Sequence, residues 1–164
     1  MKSQKLFFRA SLILSLLFVS CSNDDDGIYF GDSNEILVTY SDLEYEILDL
    51  VNDHRTGLGL DQLNVLNAIS SEAEPHVDYM LEKGVPSHDN FGVRHSNLTS
   101  QINAKKVAEN VAYGYTSAES VVRAWLKSPH HREIIETPEF TDFGIAIKAN
   151  EVGRNYFTHI FVTR

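Results

Sequence analysis

The chain has 164 residues, 43% of them hydrophobic, with 23 acidic and 14 basic side chains and a net charge of −9 at neutral pH. That length suits one domain with a single core. The acid excess argues against nucleic acid as a partner, because phosphate binding needs clustered Lys and Arg, and no internal repeat is present.

Lys2, Lys5 and Arg9 form a basic start, followed by the apolar run SLILSLLFV at 11–19. A spanning helix needs roughly 20 apolar residues, so this run reads as a secretory signal peptide over residues 1–20. Leu17-Phe18-Val19-Ser20-Cys21 resembles a bacterial lipobox, in which the cysteine becomes the first mature residue and carries lipid. An ordinary signal peptide, or an uncleaved anchor with an incidental cysteine, is the alternative. Cys21 is the only cysteine in the chain, so the exported domain has no disulfide partner for it. Loss of the three basic residues in 1–20 deepens the net charge from −9 to −12. Residues 21–38, with Asp24-Asp25-Asp26, read as a solvated tether. The acidic run also resembles the export signal of surface-exposed lipoproteins of the Bacteroides group. The implied location is the bacterial outer membrane, surface-exposed, with the membrane as a partner through the lipid anchor.

The domain is expected over 39–164. Ser41-Asp42-Leu43-Glu44 is a capping box that opens a helix with Leu43, Ile47, Leu50, Val51 and His54 on one side, ended by Gly57 and Gly59. Leu66, Ile69, Ala73, Val77 and Met80 predict a second helix stopped by Gly84, with Pro75 expected to kink it. Ser87-His88 and a loop follow, with a short helix or turn at 96–103. Lys106–Tyr113 reads as a strand. Thr116-Ser117-Ala118-Glu119 predicts a second capping box and a helix carrying Val121, Val122 and Trp125. Ser128 is read as the N-cap of a short helix that Pro129 opens. Phe143–Lys148 and Tyr156–Val162 are strands joined by a turn at 150–153. Helices early and antiparallel strands late make this an α+β domain.

In this order the motifs resemble the CAP superfamily, or SCP domain, in its bacterial form, over about residues 43–162. The resemblance rests on Leu50-Val51-Asn52-Asp53-His54-Arg55, Ser87-His88, Ala108-Glu109-Asn110, Trp125 with Ser128-Pro129-His130-His131-Arg132, and Tyr156-Phe157-Thr158-His159. It implies an α-β-α sandwich, a mostly antiparallel central sheet between helical layers, with His88, Glu109 and His131 in one cleft. Three departures stand out. His130 replaces a glycine. His159 replaces a glutamine. Ser128 stands where eukaryotic members carry a second glutamate.

His88 and His131 are the metal-ligating candidates, for zinc or another divalent ion, with Glu109 as a ligand or as the group that orients one. Spacing alone does not argue for a metal, and a cleft of mutually hydrogen-bonded polar groups is the plain alternative. His88, Glu109 and His131 are equally the candidates for any catalysis. Asn110 is read as closing a backbone turn and, with His130 and Tyr156, as cleft wall, beside Tyr113 and Tyr115. Arg55 is expected to bridge the first helix to a loop carbonyl or carboxylate. Trp125 and His76 are read as packing residues, and His54 and His95 as surface groups. Three functions follow: a cell-envelope lipoprotein whose cleft binds a protein, lipid or envelope component; a hydrolase using Glu109 and a cleft histidine; or a structural interaction module.

Overall fold

The computed structural model describes residues 36–164. The expected signal peptide, Cys21 and most of the expected acidic tether lie outside the described residues. The elements run α1 (Asp42–Gly57), β1 (Asn64–Val65), α2 (Asn67–Lys83), α3 (Phe91–Ile102), β2 (Lys106–Tyr113), α4 (Ala118–Lys127), α5 (Pro129–Ile135), β3 (Asp142–Ala149) and β4 (Asn155–Thr163).

The four strands lie in the order β1-β3-β4-β2. The β3–β4 and β2–β4 pairs are antiparallel, and only the two-residue β1 runs parallel to its neighbour β3. Side chains alternate across a strand, and both faces of this sheet are covered. Ile47, Val51, Val121, Trp125 and Ile135 of α1, α4 and α5 pack with Phe143, Phe157 and Phe161 on one face. Ile69, Ala73, Val77, Met80 and Leu98 of α2 and α3 pack with Val111, Tyr156 and Ile160 on the other. This is the expected α+β sandwich, held without a single cysteine among the described residues.

Local chemistry explains the starts and stops. Ser41 caps α1: its Oγ accepts from the Glu44 N–H, and Glu44 Oε2 accepts from the Ser41 N–H at 2.7 Å. Gly84 ends α2 at φ 75°, in the left-handed region that glycine enters without a side-chain penalty. The helix runs unbroken from Asn67 to Lys83 through Pro75, seated by four residues with no exposure, Ile69, Ala73, Val77 and Met80. Close approach to the sheet is permitted by Gly144, where an added Cβ would lie 2.5 Å from the Ser70 backbone nitrogen.

Three local expectations are corrected. The helix expected at 96–103 begins at Phe91, launched from Asn90 at φ 60° with no side-chain cap to announce it. The cap of α4 is Ser117, not Thr116: the Ser117 hydroxyl accepts from the Ser120 N–H. Ser128 does precede Pro129 at the start of α5, but its side chain makes no capping bond there, since the same residue also closes α4.

Arg55 ties the α1 end to α5. It is fully buried and donates to the carbonyls of Asp61 (3.0 Å), Ile135 (2.7 Å) and Thr137 (2.9 Å).

Candidate functional site

Strand β2 carries the centre of the site. Adjacent residues on a strand face opposite sides, so Glu109 turns toward α2 and α3 while Asn110 turns toward α5. Glu109 is almost fully buried, its side chain 1% exposed. His88, in the loop after α2, places Nδ1 2.8 Å from Glu109 Oε1. Arg94, on the first turn of α3, grips both oxygens: Nε donates to Oε2 at 2.7 Å and the second guanidinium arm to Oε1 at 2.8 Å. Its remaining arm donates to the Asp89 carbonyl at 2.8 Å, closing the loop that bears His88. His76 of α2 stands behind, with Nδ1 3.0 Å from Thr158 Oγ1 and 3.6 Å from Glu109 Oε2.

Burial alone would raise the Glu109 pKa. Hydrogen bonds from His88 and Arg94, with the Arg94 charge, outweigh it and hold the carboxyl below its ordinary value. Burial pushes His76 down to about 4, against the pull of Glu109. The imidazole is therefore neutral, and the charge on Glu109 is matched by Arg94.

His131 lies in α5, on the far side of β2. Its backbone carbonyl accepts from Asn110 Nδ2 at 3.1 Å. Its ring is half-buried, and burial first, then the neighbouring His130 and His88, lower its pKa. No hydrogen bond joins it to Glu109. Direct contact therefore brings together His88 and Glu109, with His131 near His88 but outside the network.

A cavity of about 410 Å³ opens beside the site, lined by His88, Glu109, Phe91, His130, Ile134 and neighbours. His130 thus faces the opening. Two residues expected on the wall do not. Asn110 is fully buried and Tyr156 is 1% exposed, Asn110 because it clamps α5 and Tyr156 because it packs on Tyr113 at a ring separation of 4.5 Å.

Arg94 was missed by sequence reasoning. The signal for it is weak, an arginine six residues after His88, because the helix that orients it starts at Phe91, ahead of the expected 96–103. His76, read as a packing residue, is also part of the shell around Glu109. The third unforeseen feature is the burial of His159, which the sequence marks only as a departure from glutamine. It is fully buried between Trp125, Phe143 and Phe161, both ring nitrogens lack a protein partner, and burial pushes its pKa to about 3.

The donor set does not fit a resident divalent metal. The guanidinium fork of Arg94 already occupies both oxygens of Glu109, and a dication there would meet that positive charge. Among the described residues no three or more His, Cys, Asp or Glu side chains stand together as a metal cage. His88 and His131 alone are fewer than the three protein ligands that a catalytic zinc site uses.

The fold has counterparts. YkwD, an uncharacterized protein of Bacillus subtilis, is 32% identical over 105 residues, 62% of this chain and 41% of its own length; the chain thus spans about two fifths of that relative. An outer surface protein from Borrelia burgdorferi superposes with a TM-score of 0.67 at 20% identity, covering 78% of this chain and 99% of the other. An extracellular SCP-domain protein from Bacillus anthracis gives 0.65 at 22% identity, covering 74% of this chain and 40% of the other. The profile of the cysteine-rich secretory protein family, CAP, matches residues 48–162, and the chain belongs to that family.

Proposed function

We propose that the protein is an extracellular, surface-exposed lipoprotein, anchored in the outer membrane through Cys21, whose CAP domain binds a ligand or partner in the cleft beside His88 and Glu109. The observation that carries the binding reading is the Arg94–Glu109 clamp. A general base must release its charge to a substrate proton near working pH. Glu109 is held ionised by its His88 and Arg94 donors, so it orients His88 and does not shuttle protons. A hydrolase would also need a nucleophile beside a base. Ser87 Oγ accepts from the Asp89 N–H at 3.3 Å, and no serine among the described residues is hydrogen-bonded to a histidine. The acid excess suits a domain held off an anionic membrane, and its relatives include outer-surface and extracellular proteins. No helix among the described residues is long and apolar enough to cross a membrane.

The test is retention on washed envelope material. Wild type is expected to be retained, and a folded His88→Ala, His130→Ala variant to lose at least about tenfold in affinity, while ester and peptide panels show no turnover. Equal retention of both proteins would remove the cleft from the proposal. Calorimetric titration with zinc should show no stoichiometric site, and one abolished by His88→Ala, His131→Ala would overturn the clamp argument. Fatty-acid labelling that survives Cys21→Ser would remove the anchor assignment.

A further inference from the structure

The two outer edges of the sheet are finished differently. Along β3 three outward backbone groups are met by side chains or by the chain leading into α2. The Phe143 carbonyl accepts from the Leu66 N–H at 3.0 Å, the Ile145 N–H donates to Ser70 Oγ at 3.0 Å, and the Ile147 N–H donates to Glu44 Oε1 at 3.0 Å. Strand β2 forms the opposite edge. In an antiparallel ladder, alternate residues direct both backbone groups toward the partner or away from it. The Gly114 N–H bonds the Asn155 carbonyl at 2.8 Å, which turns the even-numbered residues of β2 toward β4. Val107, Glu109 and Val111 therefore present their backbone outward. Trp125 Nε1 agrees with that phase by donating to the Val111 carbonyl at 3.2 Å. For the backbone groups of Val107 and Glu109 no partner stands among the described residues.

Both residues line the cavity. Its lining includes the four consecutive residues Lys106, Val107, Ala108 and Glu109. Their side chains alternate between the two faces of the sheet, so the cavity straddles the strand's edge. An unpaired strand edge flanked by apolar walls is a template for another strand. Val107 and Glu109 lie about 7 Å apart along the strand, the two-residue repeat of an extended chain.

We infer that the cleft takes an extended, basic polypeptide segment, which adds to the sheet along β2 by pairing with the backbone of Val107 and Glu109. This rests on the reading of the cleft as a binding site and names its ligand class. Main-chain bonds supply affinity in such docking, and alternate side chains meet the walls, here Phe91 on one side and Ile134 on the other. Charge selects the occupant. Glu133 lines the cavity and makes no salt bridge among the described residues, whereas Lys106 is turned to Glu139 at 3.9 Å and to the Phe140 ring at 5.2 Å. A chain of net charge −9 attracts a basic segment and repels a second copy of itself.

The experiment selects binders from a displayed library of random peptides about ten residues long, using the full-length chain in detergent. The tightest peptide is then made in two forms, N-methylated at alternate residues in one phase or the other. One phase is expected to weaken binding at least about tenfold and the other to leave it within about twofold, because only one set of amides faces β2. Val107→Pro deletes an outward N–H at an edge, where proline is tolerated, and should weaken the unmodified peptide similarly; the methylated pair decides the matter even if this variant folds poorly. Equal effects of the two phases overturn strand addition. A soluble envelope glycan or lipid that competes for the cleft, with no peptide selected, also overturns it while leaving the binding reading intact. Peptides that bind the His88→Ala, His130→Ala variant unchanged overturn both. A dimer in sedimentation that Val107→Pro dissolves assigns the edge to a second copy and overturns the peptide.

Discussion

His159 should set much of this domain's sensitivity to acid. Its ring is fully buried with burial as the sole cause of a pKa of about 3, against 6.5 for the free group. The sign follows from which state takes the proton. Below about pH 6.5 the unfolded chain protonates this imidazole and the folded chain does not, so stability is full above that pH and is lost as pH falls. Between about pH 7.5 and about pH 5 the loss is about 2 kcal/mol, at roughly 1.4 kcal/mol per pH unit. That is a large part of the roughly 5–15 kcal/mol typical of a domain. His159→Gln removes the titrating group. The new amide can donate to Asn110 Oδ1, which lies opposite in the strand register and lacks a partner. Urea unfolding of both proteins at the two pH values measures the effect, and the variant should lose about 2 kcal/mol less on acidification. A difference below about 0.5 kcal/mol would refute the reasoning, because it would mean that the folded state accepts the proton as readily as the unfolded one.

Arg94→Ala leaves the buried Glu109 without its cation and should cost about 3–5 kcal/mol in urea unfolding near neutral pH; adding Glu109→Ala should restore part of that loss, and simple additivity would argue against the clamp. Gly144→Ala drives a methyl group into the Ser70 backbone and the Ile69 Cβ, 2.5 and 2.8 Å away, and should destabilise by at least about 2 kcal/mol. In contrast Gly92→Ala, with nothing within 4 Å, should leave the thermal midpoint unchanged or slightly higher. Arg55→Ala orphans the carbonyls of Asp61, Ile135 and Thr137 and should cost about 3 kcal/mol or more, read as a lower urea midpoint.

Much of this architecture is written locally. The Ser41–Glu44 box, Gly84 at the end of α2, and the alternation in Lys106–Tyr113 are short-range signals, and each lies where the structure puts the corresponding boundary. The start of α3 was hidden because Asn90 turns the chain through its own backbone angle and offers no capping side chain. Arg94 was hidden with it. The walls of the cleft were misread for a different reason. Glu109, Asn110 and Tyr156 all lie in family motifs, but strand alternation and pairing decide which faces an opening and which is sealed beneath a helix. Edge status is the least local property of all: nothing within Lys106–Tyr113 says that only one side of that strand finds a partner.

The adjacency of Glu109 and Asn110 has one more consequence. One side chain holds Arg94, and with it the His88 loop; the next holds the backbone of α5 at His131. The two jaws of the cleft are therefore fastened to neighbouring links of a single strand, like a calliper whose gap is set by backbone pitch and not by flexible side chains. Exchanging the two residues would not exchange their work. Glu109→Asn with Asn110→Glu would release the first jaw and drive a carboxylate, with no cation to meet it, into the sealed space beneath α5. The gauge of the opening is inherited from the order of two letters.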